Sequence, residues 1–291
     1  MKIATTTEEQ IKCLKERGLI IEDETKASEI LLDIGYYRLG FYLFPFEVNY
    51  PNLENRDHKF NPGTFFDSAV VLYYFDFDLR NLLLRYTSRI EVALRTYITY
   101  YISNKYKHSP TWFVDNNIID PKFKKKFKPE IYSKILTRVP ALKRHHNKYI
   151  NDKFAPAWKT IEFLSFGSVL KLYKALKNSE DKRVIASHFN VKSISVFENY
   201  IDTIVFIRNQ CAHGNALFDL SMPKSIASGP IKIKQNHEYT LATAIDVILY
   251  ILDKVSSNRA RDLKKSLKEI IKESVSKNAN IEPIIEKVVN F

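Results

Sequence analysis

Arg208, Asn209 and His213 have the chemically most informative spacing in the chain, within IDTIVFIRNQCAHGNALFDL at residues 201–220. Helical periodicity over this run puts Ile201, Ile204, Val205, Cys211 and Ala212 on one face, with Arg208 in the middle of it. A guanidinium there cannot shed its charge. It must meet a carboxylate, backbone carbonyls or a bound phosphate, and its planar fork suits the last of these. Asn209 and His213 are four residues apart and stack on a neighbouring face. Arg208 and His213 are five apart, about 140° around a regular helix. Their tips converge only through the long reach of the arginine or a local break, and Gly214 suits a break. The bland alternative is an Arg–Glu pair and a helix-end histidine favoured by the macrodipole, with no catalysis. Arg183 and His188 repeat the spacing, but neither Asn nor Asp follows that arginine.

The elements that must position these residues read as helices. Only seven glycines, long runs of Leu, Ile, Lys, Glu and Tyr, and no Asn-Gly or Asp-Gly hairpin signal predict an all-α protein. Thr6 with Glu9, or Thr7 with Gln10, forms a capping box that opens a helix stopping at Gly18, and a second helical pattern runs over residues 25–34. Next comes GYYRLGFY at 35–42, rich in aromatics and flanked by glycines. Tyr36, Tyr37 and Arg38 are either a packed junction or a base-stacking contact. The longest signal covers residues 64–106, as one helix or two with a kink. In it Asp76, Arg80, Thr87, Glu91 and Arg95 follow one helical stripe, either a solvated face or a buried network. In the network reading Glu91, Arg95 and Arg80 are a supporting network, in which the Glu91–Arg95 pair holds Arg208 or orients catalytic groups. Residues 221–239 read as a long loop with a short strand at 231–234, and helices follow over 241–255, 259–273 and 281–289. The expected organisation is an N-terminal helical arm (1–58), a helical core (59–220) and a C-terminal helical extension (221–291).

A net charge of +12 makes an anionic partner the first expectation, nucleic acid before membrane. Lys122, Lys124, Lys125, Lys126 and Lys128 alternate with Phe123 and Phe127 in PKFKKKFKP, and Arg144 and Lys148 follow. Such a segment is either a solvated loop or an RNA contact in which lysines meet phosphates and rings stack on bases. His145 and His146 have no third ligand nearby, so they are expected at the surface and no metal or other cofactor is expected. Cys13 and Cys211 stand alone, which supports neither a disulfide framework nor a zinc site and fits a reducing cytoplasm. The first residues lack the apolar region of a signal peptide, and no apolar run approaches the ~18 residues that span a bilayer.

The segment IRNQCAH at 207–213 resembles the signature of HEPN (higher eukaryote and prokaryote nucleotide-binding) ribonucleases. The wider chain resembles the Abi-like abortive-infection proteins of bacterial defence, the AbiD and AbiF group. GYYRLGFY at 35–42, YYFDFDLRNLLLRYTSRIEVALR at 73–95, Phe189-Asn190-Val191 and IRNQCAHGNALFD at 207–219 come in the expected order and cover most of residues 5–220. Many relatives carry an Arg-Leu-Trp-Asn-type sequence after the histidine. Here Ala216, Leu217 and Phe218 stand instead, so the resemblance implies no further arginine in the site. It does imply a HEPN-like helical bundle and a metal-independent endoribonuclease site at Arg208, Asn209 and His213. There the histidine moves the 2′-OH proton and the arginine stabilises the phosphorane. It also implies a homodimer in which two copies of His213 share one cleft. The rival reading is a non-cleaving RNA-binding protein that holds a structured noncoding RNA, and a third is a protein-binding toxin or antitoxin subunit.

Overall fold

The computed structural model describes residues 3–52, 54 and 56–289, with the side chains of 287 and 288 left aside. Among these residues the secondary structure is helical, without a β-strand. Thr6 and Glu9 form the capping box that opens α1, Thr7–Glu16. Asp23 caps α2, Glu24–Ile34, by accepting from the Lys26 amide. The Tyr-rich segment is itself a helix, α3, Tyr36–Leu43.

The long signal is one helix, α4, Phe66–Lys105, of 40 residues. Leu72, Leu79, Leu83, Ile90, Leu94 and Ile98 make its fully buried stripe, each step being four or seven residues. The polar stripe is buried as well: Asp76, Arg80, Thr87 and Glu91 all belong to the interior. The stripe was readable as a solvated face because spacing alone does not say what packs against it.

The lysine-rich segment is a helix and not a loop. Asp120 caps α5, Pro121–Lys126, by accepting from the Lys122 and Phe123 amides, and Pro121 sits where no amide is needed. A π-helical turn over Phe127–Tyr132 leads into α6, Ser133–Arg138. Phe127 is fully buried against Phe113, Phe123, Tyr132 and Phe154, so that ring is spent on packing and not on bases. The surface expectation for His145 also fails. On α7, Pro140–Lys148, its ring is buried beside Tyr149 and its Nε2 lies 3.0 Å from Asp152.

The remaining helices are α8 (Ala157–Thr160), α9 (Phe166–Ala175), α10 (Ser179–His188), α11 (Ile194–Ala212), α12 (Leu241–Val255), α13 (Ser257–Lys277) and α14 (Glu282–Val289). No strand forms at 231–234. The Ile231 amide donates to the Tyr200 hydroxyl, and the Gly229 amide to the Ile231 carbonyl, in place of ladder bonds.

Two compact units form, and neither is continuous in sequence. One takes the described residues up to Leu82, Gln210–Ser221 and those from Lys264 on. In it Asn278 Nδ2 donates to the Ser68 hydroxyl at 2.9 Å. The other takes Leu83–Asn209 and Met222–Leu263. Its centre includes α12, buried on nearly every side from Leu241 to Leu252, and a buried Asp181 that binds Lys105 and Tyr106. Among the described residues no helix is long and apolar enough to cross a membrane.

Candidate active site

Glu91 is the pivot of the arginine cluster, which lies in the unit of Leu83–Asn209 and Met222–Leu263. Its carboxylate is buried, with Oε2 3.1 Å from Arg208 Nη2 and Oε1 accepting from Arg95 Nη2 at 2.9 Å. Arg95 is four residues on along α4, the spacing that brings an acid and a base together on a helix face. Its Nη2 also donates to the Leu164 carbonyl at 3.0 Å, and its Nη1 lies 3.7 Å from the exposed Glu162. Arg208 Nη1 donates to Asn209 Oδ1 at 3.1 Å, so the adjacent amide helps to hold the guanidinium. Two guanidiniums thus share one buried carboxylate. The Nε of each is buried and without a hydrogen-bond partner, which is costly unless a further acceptor arrives.

The segment after α11 is held within the other unit. His213 is exposed, and its side chain makes no hydrogen bond or ion pair among the described residues. Gly214 takes φ +67°, a conformation that suits glycine at a helix end. Its carbonyl accepts from Arg38 Nη1 and Arg80 Nη1, both at 2.7 Å. Three residues on, the Leu217 and Phe218 amides both donate to Asp76 Oδ1 at 2.9 Å. Asp76 Oδ2 accepts from the Tyr42 hydroxyl at 2.7 Å and lies 3.2 Å from Arg80 Nε. Burial pushes the Asp76 carboxyl up from its ordinary range, while Tyr42, Arg80 and the two amides pull the other way. The chain next to His213 is therefore clamped at both ends of a short turn.

The Abi-like protein family matches residues 29–219. The chain belongs to the Abi-like family. No curated protein and no solved structure matches. The matched stretch of this Abi-like chain holds both clusters, from Tyr42 and Asp76 to Glu91, Arg208 and His213, and leaves out α1 and everything after residue 219. Membership suggests a part in abortive-infection defence.

The sequence-predicted RNA contacts fall in different surroundings. Lys122, Lys125, Lys126 and Lys128 are exposed, whereas Lys124 is half-buried and donates to Asn116 Oδ1. Arg144 and Lys148 are exposed on α7. Tyr37 is exposed, but Tyr36 accepts from Arg17 and Arg38 is engaged with Gly214. Among the described residues no group of three or more His, Cys, Asp or Glu side chains is placed to hold a metal ion. Tyr42 was not singled out from the sequence as part of a polar network, because a tyrosine in GYYRLGFY carries no local sign of its partner.

Cys211 lies on the inner side of the same clamp. Burial pushes its thiol up to about 12, helped by the nearby Asp76. At pH 8 the Cys211 thiol is therefore almost wholly protonated and unreactive. Native protein treated with a thiol reagent at pH 8 is expected to react at Cys13 alone, and unfolded protein at both cysteines. Fast labelling of both in the native state would show that the Cys211 side of the clamp opens readily.

Proposed function

We propose that this Abi-like protein is a metal-independent HEPN-type endoribonuclease that acts in abortive infection. The observation that carries the reading is the Arg208 guanidinium, tied to Glu91 and Asn209 yet with a buried, unbonded Nε. It sits five residues before an exposed, unbonded His213. Arg95 and Arg80 also keep a buried, unbonded nitrogen, so what supports the reading is the combination of a held Arg208, its Asn209 partner and a free imidazole just past the helix end.

In the proposed reaction His213 takes the proton from a ribose 2′-OH, and the freed oxygen attacks the adjacent phosphorus. Arg208 stabilises the negative charge that grows on the phosphorane oxygens. The P–O5′ bond breaks, and a second imidazole supplies the proton to the departing 5′ oxygen. That imidazole is His213 of a second copy in a homodimer, so one chain carries half of the acid–base pair. Asn209 holds Arg208 in place. The products are a 2′,3′-cyclic phosphate and a 5′-OH, and DNA is spared because it lacks the nucleophile.

The test is to incubate purified protein with total RNA in EDTA and map the new 3′ ends. Cyclic-phosphate ends on RNA, with DNA of the same sequence intact, are the expected result. The net charge of +12 also favours a protein that simply holds a structured RNA. That reading wins if one discrete RNA co-purifies and no new ends appear after it is removed.

A further inference from the structure

Trp158 is an exposed tryptophan on a rigid base, which is a costly way to use a large apolar side chain without a partner. It lies on α8, whose Ala157 and Thr160, together with Ile161 just beyond, are fully buried. The Ala157 amide donates to the Pro110 carbonyl and the Thr160 hydroxyl to the Ala155 carbonyl, both at 2.8 Å. Since those three positions face inward at helical spacing, Trp158 is held outward, 54% exposed. It lines a groove of about 440 Å³ with Arg144, Lys148, Tyr149, Lys159 and Phe163. Tyr149 is pinned as well, its ring 4.9 Å from that of the buried His145 and 5.4 Å from Lys148 Nζ. None of Arg144, Lys148 and Lys159 has a carboxylate partner among the described residues. Glu162 also lines the groove, but it reaches Arg95, which shares Glu91 with Arg208, so this surface and the arginine cluster are joined by one chain of ion pairs in one unit.

A fixed outward ring among cations that have no carboxylate partner matches unpaired bases joined by phosphates, since a ring stacks on any base and a cation meets each phosphate. A protein partner would favour an apolar centre poor in charge, and here the cations lie among the rings. We infer that the Trp158 groove binds single-stranded RNA, with Trp158 stacking on a base. The inference rests on the ribonuclease reading for its biological sense and gives the substrate class: an unpaired strand lying along α7 and α8. Among the described aromatics Trp158 is then a determinant of specificity for unpaired over duplex RNA.

The chain has two tryptophans, and the other, Trp112, is fully buried with its Nε1 bonded to Ser103. Stacking at the groove is therefore visible as quenching of Trp158 alone. The probe is a short fluorescein-labelled single-stranded RNA of mixed sequence, titrated into full-length protein carrying His213→Ala so that nothing is cut. Quenching of the tryptophan emission is expected, and Trp158→Phe should abolish it while keeping most of the affinity. Trp158→Ala should weaken binding about tenfold. Replacing Arg144, Lys148 and Lys159 together by Gln should lower the dependence of log K on log salt by about 2. Circular dichroism of each variant shows that it has folded.

Unchanged affinity in Trp158→Ala with no quenching in the parent overturns the inference. So does unchanged RNA affinity accompanied by loss of a dimer on sedimentation, which would make the patch a protein interface. RNA bound in the groove, when protein with His213 intact never yields cyclic-phosphate ends, sinks the nuclease reading and leaves the groove standing. Cleavage by protein with His213 intact, when the groove variants bind like the parent, does the reverse.

Discussion

His213→Ala is expected to lower RNA cleavage by at least about a hundredfold, in the range lost when a general acid–base group is removed. The loss should be larger than that of a single proton transfer if two copies of His213 serve one cleft, because one substitution removes both the base and the acid. The side chain is exposed and unbonded, so stability should change by no more than about 0.5 kcal/mol. RNA affinity should also hold, which separates lost chemistry from lost binding. Arg208→Ala makes a useful companion: it should cut less well, yet Glu91 would keep Arg95 as its partner. Mixing His213→Ala protein with the parent tests the shared cleft, since a mixed dimer keeps only one of the two imidazoles and should cut no better than the His213→Ala homodimer. Cleavage at the parental rate by His213→Ala protein would end the assignment of this histidine.

Asp76→Ala is expected to cost about 3–5 kcal/mol, because it strips the partner from a buried charge. Arg80 is buried, and one of its terminal nitrogens, Nη2, already lacks a partner. Without Asp76 the guanidinium keeps the Gly214 carbonyl but no carboxylate, while the Leu217 and Phe218 amides and the Tyr42 hydroxyl lose their acceptor. Against a total stability of about 5–15 kcal/mol this is a large fraction. The urea midpoint should fall accordingly. Asp76→Leu combined with Arg80→Met should recover only the part due to the unpaired guanidinium, since it removes both charges and leaves Arg38 on the Gly214 carbonyl while the Leu217 and Phe218 amides and the Tyr42 hydroxyl still lack an acceptor. A single Asp76→Ala variant within about 1 kcal/mol of the parent would mean that the turn after His213 is held by something other than this carboxylate. Cleavage should fall along with stability in the single variant, because the turn that follows His213 would lose its second clamp.

What the sequence by itself determined is what depends on neighbours within a few residues. The helical class, a cap at Thr6 or Thr7, helix over residues 64–106 and the end of α11 before Gly214 all follow from hydrogen bonds and periodicity over three or four positions, while the structure chose the Thr6–Glu9 cap and one unbroken α4. So does the spacing of Arg208, Asn209 and His213, and the ordered motifs were enough to point to the Abi-like family before any packing was known. Tertiary structure decided which polar groups are buried and against what. Asp76 meets amides 141 and 142 residues further along the chain. Arg38 and Arg80 meet one carbonyl at Gly214, and Glu91 stands between Arg95 and Arg208. No local pattern encodes those meetings. The same holds for Phe127, which the lysine run made look available and the interior claimed, for His145, and for Trp158, whose outward direction is set by the burial of its helical neighbours. Spacing tells which residues share a face, but only the packing of distant segments tells whether that face meets water, a carboxylate or a core.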